Sequence, residues 1–166
     1  MNEIFKRRSI RKYQSKPVEK EKINELLHAA MAAPSAGNEQ PWHYIVIDDR
    51  NILNNIANTH PHAAMLKEAP VAILVCADLT KEKYEGFWVQ DLSASTQNIL
   101  LEAVSLGLGT VWVGVYPNEN RVNEIVKIFG LPSNIIPFSI VAVGYPDEYK
   151  DEADRYDEDR VHYNKW

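Results

Sequence analysis

The sequence predicts a single α+β domain, and three observations lead there. Its 166 residues, 45% of them hydrophobic and 25% charged, suffice for one ordinary hydrophobic core. Apolar residues at helical spacing alternate along the chain with short runs rich in strand formers. No internal repeat and no low-complexity linker divides it, so the domain is taken as residues 1–166.

Residues Pro17 to Ala33 read as a helix, with Pro17 in the first turn and Glu19 and Glu21 at its positive end. Ile23, Leu26, Leu27, Ala30 and Met31 form its apolar stripe, and Pro34-Ser35-Ala36-Gly37-Asn38 stops it. His43 to Ile47 reads as a strand closed by the turn Asp48-Asp49-Arg50-Asn51. Asn51 to Lys67 has helical character interrupted at His60-Pro61-His62, a segment expected to face solvent. Val71 to Ala77 is apolar without alternation, which marks a central strand covered on both faces. Phe87 to Leu106 carries the longest helical pattern, with small or apolar residues on more than one side and Gly107 as its cap. Thr110 to Val115 is a third strand and Asn118 to Phe129 a helix ended by Gly130 with Pro132 beyond. Phe138 to Val143 is a fourth strand. The remaining tail is acidic, yet it ends in Val161-His162-Tyr163-Asn164-Lys165-Trp166, and terminal aromatics suggest docking on another surface, such as a second copy of the chain.

Composition and motifs exclude several functions. Apolar stretches are too short to cross a bilayer and no signal-peptide core follows the first residues, so a cytoplasmic protein without membrane contact is expected. The one cysteine, Cys76, lies inside an apolar run and reads as a buried side chain, not a nucleophile. Gly107-Leu108-Gly109 follows a helix and precedes a strand, the reverse of a dinucleotide fingerprint. No phosphate-loop lysine motif, nucleophile elbow or metal-ligand spacing of the histidines occurs.

One segment does point to chemistry. Phe5-Lys6-Arg7-Arg8-Ser9-Ile10-Arg11-Lys12-Tyr13 holds five basic residues and a hydroxyl in a chain of net charge −5. Guanidinium groups clamp phosphate oxygens through paired, charge-assisted hydrogen bonds, so the segment fits a phosphorylated small molecule. A solvated basic face is the plainer alternative. Nucleic acid is disfavoured, because such surfaces bring a net basic domain and this chain ends in the acidic stretch Asp147 to Asp159.

Arg7 to Tyr13, Ala33-Pro34-Ser35-Ala36-Gly37-Asn38-Glu39-Gln40-Pro41-Trp42, Gly107 to Gly114, and Asp154-Arg155-Tyr156 followed by Val161-His162-Tyr163 stand in an order that resembles the FMN-dependent nitroreductase family. The resemblance covers essentially the whole chain. It implies a central, mostly antiparallel sheet flanked by helices, in an intertwined homodimer with two FMN sites at the subunit interface. Arg7, Arg8, Ser9 and Arg11 match positions that hold the FMN phosphate and ribityl chain, and Arg155 matches a late arginine that reaches the same phosphate. Ser35, Asn38 and Gln40, with Pro34 shaping the loop, match the stretch that a second subunit lays against the flavin. Trp112, Val113 and Gly114 match the strand end beside the isoalloxazine ring. Two departures bear on phosphate affinity: Val115 stands where many relatives carry a second glycine, and Ala153 and Asp154 stand where some carry a further base.

The implied activity is transfer of electrons from NADH or NADPH through FMN to a nitroaromatic, quinone or similar acceptor in alternating half-reactions. The flavin would carry the chemistry, with no side chain assigned as a catalytic acid or base and no metal. A flavoprotein of another role, such as a reductive dehalogenase, a flavin-consuming enzyme or a non-catalytic FMN carrier or sensor, is the alternative.

Overall fold

The computed structural model describes residues 3–166. Four strands form one antiparallel sheet in the order β1-β2-β4-β3, where β1 is Trp42–Ile47, β2 Val71–Asp78, β3 Gly109–Gly114 and β4 Ile135–Gly144. Every residue of β2 is buried, as its unbroken apolar run predicts. Cys76 lies within it, and burial pushes its thiol up to about 12, so it is a packing residue at neutral pH.

After a short N-terminal turn of helix, α1 (Glu3–Lys6), four longer helices cover the two faces: α2 (Lys20–Met31), α3 (Arg50–Thr59), α4 (Trp88–Ser105) and α5 (Glu119–Phe129). On one face Leu53 and Ile56 of α3 and Ile125 of α5 pack with Leu74, Val113 and Ile140 of the sheet. On the other, Leu26 of α2 and Leu92 and Ile99 of α4 pack with Ile73, Val75 and Val141. Strand alternation sends neighbouring side chains into opposite cores. Asn98 Nδ2 donates to Ala29 O across the α2–α4 contact at 2.9 Å, a packing role consistent with its place in the helix. None of these helices is long and apolar enough to cross a membrane among the described residues.

Some element ends differ from the sequence reading. Helix α2 starts at Lys20 behind an extended Glu19, so Pro17 lies ahead of the first turn, and Met31 on its expected apolar stripe is exposed. Strand β4 begins earlier than its apolar run and includes Pro137, which pairs with Cys76 of β2 and lies beyond the last residue of β4 paired with β3. A register shift between Val75 and Cys76 accommodates it, because proline has no N–H for the ladder. Gly107 and Gly130 end α4 and α5 with left-handed φ of 72° and 60°, as their positions predict.

Two glycines decide how the N-terminal segment lies on this scaffold. Gly109 and Gly144 face each other across β3 and β4. Ile10 occupies the space beside the first, and Pro70 and Tyr13 share that beside the second. Ile10 N donates to Thr110 O at 2.9 Å and Ser9 makes a parallel bridge with Thr110, so residues 9–10 lie on the outer edge of β3, while Tyr13 bridges Pro146 just beyond β4.

Candidate functional site

The basic segment is held between this sheet edge and the acidic tail. Asp147 N donates to Lys12 O at 2.9 Å, Arg11 N to Glu148 Oε1 at 2.5 Å and Lys150 Nζ to Ser9 O at 2.6 Å. Arg8 is a brace: its Nε donates to Asp151 O, Nη1 to Arg7 O and Nη2 to Phe5 O, each at 2.6 Å. Three of its five N–H groups are thereby engaged with carbonyls.

Arg7 and Arg155 are placed differently. With Arg8 they line a recess of about 530 Å³, together with Ile4, Phe5, Tyr156 and the two carboxylates Glu152 and Asp154. Among the described residues neither Arg7 nor Arg155 pairs with a carboxylate. Burial, then the positive charges of Arg8 and Arg155, lower the pKa of Arg7 from its ordinary value. Like charges gathered at a partly desolvated point destabilise one another unless an anion joins them. A phosphate at this recess removes that repulsion. Arg11 is exposed and does not line the recess, and Ser9 sits beside it on the β3 edge through its main chain.

The second candidate region is the end of β3. Thr110 is bonded by Ile10, but beyond it, among the described residues, no strand lies on the outer side of Trp112, Val113 and Gly114. Val113 and Val115 turn their side chains into the core, so only their main chain can meet a ligand at this edge. Trp112 is half-buried and packs edge-on against Phe138, with centroids 5.7 Å apart. Phe138 also meets Trp88 and Tyr116, and these two line a groove of about 580 Å³ whose wall combines Leu79, Val122 and Ile136 with Glu82, Glu85 and Glu119.

His60 corrects the expectation of a solvent-facing histidine. It is 5% exposed, and its Nε2 donates to Gly114 O at 2.9 Å while Nδ1 accepts from His62 N at 3.1 Å. Arg121 Nη1 also donates to Gly114 O, at 3.1 Å. Proline-61 ends the preceding helix and turns the histidine inward, so two donors fix the last peptide of β3. Burial, above all, lowers the pKa of His60 from 6.5. The neutral ring is therefore favoured by folding: its contribution is complete above 6.5 and is lost as pH falls through the lower folded value. We expect thermal stability to decline on acidification below that point in the wild type, and His60→Gln to flatten this part of a Tm-against-pH profile.

The third region is the loop after α2. Pro34 is exposed just beyond the helix, and Gln40 N donates to Ser35 Oγ at 3.0 Å while Gln40 Nε2 donates to Asn38 Oδ1 at 3.2 Å. Gly37, Asn38 and Gln40 all have left-handed φ, of 52°, 53° and 47°. Two of the three pay a steric cost that glycine does not. The loop is anchored to the start of α4 by Ala36 N donating to Asp91 Oδ1, at 3.0 Å. No hydrogen bond joins it to residues 7–11 within one chain among the described residues. The sequence reading missed His60, Arg121, Glu39 and Asp91.

The sequence profile of the nitroreductase family matches residues 4–60 and 56–145. A protein of Methanothermobacter thermautotrophicus named "Putative NADH dehydrogenase/NAD(P)H nitroreductase" is 54% identical over 98% of this chain and 85% of its own length. The solved structure of an FMN-dependent nitroreductase from Clostridium difficile superposes with TM-score 0.92 at 34% identity, covering 99% of both chains. That of a Desulfovibrio desulfuricans protein described as "a putative nitroreductase in complex with fmn" gives TM-score 0.86 at 28% identity, over 99% of this chain and 96% of that one. With the profile spanning the sheet and all five helices, and with relatives matched nearly end to end, the chain belongs to the nitroreductase family.

Proposed function

We propose that this protein is an NAD(P)H-dependent flavin oxidoreductase that binds FMN and works as a homodimer. The observation that carries the reading is the recess where Arg7, Arg8 and Arg155 converge and where, among the described residues, neither Arg7 nor Arg155 forms an ion pair with a carboxylate, although Glu152 and Asp154 share the lining. Such a site suits the dianionic phosphate of FMN. Ser9 and Arg11 would flank the phosphate and ribityl chain. Trp112, Val113 and Gly114 would lie along the ring, where the strand edge leaves main-chain donors for the charge that develops on reduction. Ser35, Asn38 and Gln40, after Pro34, would close over the flavin from the second copy, since within one chain their loop is tied to α4 and not to the basic segment.

When bound, FMN supplies the electron transfer between NADH or NADPH and the acceptor. The chain's own contributions are binding, orientation and exclusion of water. His60 and Arg121 hold the Gly114 carbonyl and so fix the orientation of the peptide at the end of β3. Trp88 and Tyr116, backed by Phe138, offer an aromatic surface suited to a nitroaromatic or quinone. The two substrates would use one flavin face in turn, which is a ping-pong order. The dimer is supported by apolar side chains that one copy leaves bare: Phe5 is 60% exposed, Tyr163 83% and Trp166 101%.

Anaerobic titration of the FMN-loaded protein with NADH and then NADPH tests the reading. Bleaching of the oxidised-flavin band, with recovery on adding a quinone or nitroaromatic, is expected. Flavin that binds but is bleached by neither nucleotide would favour the carrier alternative, and absence of flavin binding would overturn the site.

A further inference from the structure

The loop at residues 35–40 is fastened by two carboxyl groups that the flavin reading does not use. Glu39 is 6% exposed and Asp91 4% exposed. Glu39 Oε2 accepts from Lys83 N at 2.6 Å and Tyr84 N at 3.4 Å, while Asp91 Oδ1 accepts from Ala36 N at 3.0 Å. These bonds cross: a loop side chain holds the 83–84 turn, and a helix side chain holds the loop. Each carboxyl has one oxygen left, Glu39 Oε1 and Asp91 Oδ2, and both are buried with no other donor. A buried acceptor without a donor is costly, and two ionised carboxylates in contact more so.

We propose that Glu39 and Asp91 are a positioning pair that shares one proton between Oε1 and Oδ2, and that this proton locks the strained 35–40 loop onto the start of α4. One acid then donates to one carboxylate, and all four oxygens are satisfied. The left-handed φ values at Asn38 and Gln40 are the backbone cost that the lock holds in place. Burial, followed by the hydrogen bond and charge of Glu39, raises the Asp91 pKa against the opposing effect of Ala36 N–H. The other charged and titratable neighbours are few. Glu82 adds negative charge and reinforces retention of the proton. Lys83 Nζ is committed to Gly37 O at 3.1 Å, and the Tyr84 ring lies against Gly37. Because the folded pKa is raised, the lock is complete below the ordinary carboxyl range and opens as pH rises through the folded value.

The amides that report the lock are those of Ala36, Lys83 and Tyr84. Their hydrogen-exchange protection factors, measured on the full chain against pH, are expected to fall in the wild type by about tenfold for each pH unit above the folded pKa. Asp91→Asn retains an oxygen for Ala36 N–H and places an amide N–H where the shared proton lay, so its protection should stay flat with pH. Glu39→Gln makes the same replacement from the other side and should behave likewise. Superimposable profiles for wild type and both variants, or loss of protection in both at every pH, would overturn the proposal. Failure of both to fold would also overturn it, since each amide preserves every hydrogen bond of the pair. The lock rests on the proposed function only in what the loop covers. FMN affinity that follows the same pH profile, and is flat in Asp91→Asn, joins the two; protection that changes with pH while affinity does not keeps the lock and removes the loop from the flavin site.

Discussion

Replacing Arg7 and Arg155 together by alanine is expected to abolish retention of FMN through purification while leaving the flavin-free protein as stable as the wild type. Each guanidinium contributes a charge-assisted hydrogen bond to phosphate worth about 1.5–3 kcal/mol, or roughly ten- to a hundredfold in affinity apiece. The two converge on one recess, so the paired loss need not be additive. Stability should hold because Arg7 is destabilised by its cationic neighbours when no anion is bound. Flavin-fluorescence titration measures the first effect and a melting curve of the flavin-free protein the second. Affinity within a few-fold of wild type would remove this recess from the site. Arg8→Ala is a poorer test, because Arg8 also ties Phe5, Arg7 and Asp151 together, and its loss would loosen the segment as well as the charge.

Gly109→Ala should cost both stability and flavin affinity from a position that carries no charge. A Cβ at Gly109 would stand 2.8 Å from Ile10 Cγ2, 3.0 Å from its Cβ and 3.1 Å from Cγ1. The Ile10 Cβ cannot swing aside as a flexible tip would, so the strand that carries Ser9 must move off Thr110. Overpacking of this kind costs about 1–3 kcal/mol, which lowers Tm by roughly 2–4 °C per kcal/mol for a chain of this size. The basic segment is anchored by the same contacts, so FMN affinity should fall with it. Gly107→Ala is the control: an added Cβ there meets nothing, and only its left-handed φ of 72° is strained. It should reduce stability without weakening FMN binding. Equal flavin affinity in Gly109→Ala and wild type would show that Ile10 does not set the position of Arg7.

These two variants mark where the sequence was legible. Arg7 and Arg155 stand far apart in the chain, and the resemblance assigned both to one phosphate; the fold brings them to one recess. Gly107-Leu108-Gly109 belonged to the same resemblance, but the reason for its second glycine, the body of Ile10, lies in a segment remote from it. The helices, the buried central strand β2 and the glycine stops of α4 and α5 followed from periodicity and from backbone freedom, both of which act over a few residues. Pro137 did not, because its place in the strand goes with a register shift, in which β4 advances two residues from Pro137 to Ser139 against one on β2, and that shift is visible only in the pairing.

By itself the sequence determined the α+β class, the order of its elements, the basic segment and the family. Each is written in local spacing or in side-chain type. Tertiary structure alone decided which polar groups lose water and what replaces it. It turned His60 inward onto Gly114, gave Arg8 three carbonyls to brace, left Arg7 among cations and set Glu39 against Asp91. Desolvation and the identity of a partner depend on chain segments distant in sequence, and no local pattern encodes them.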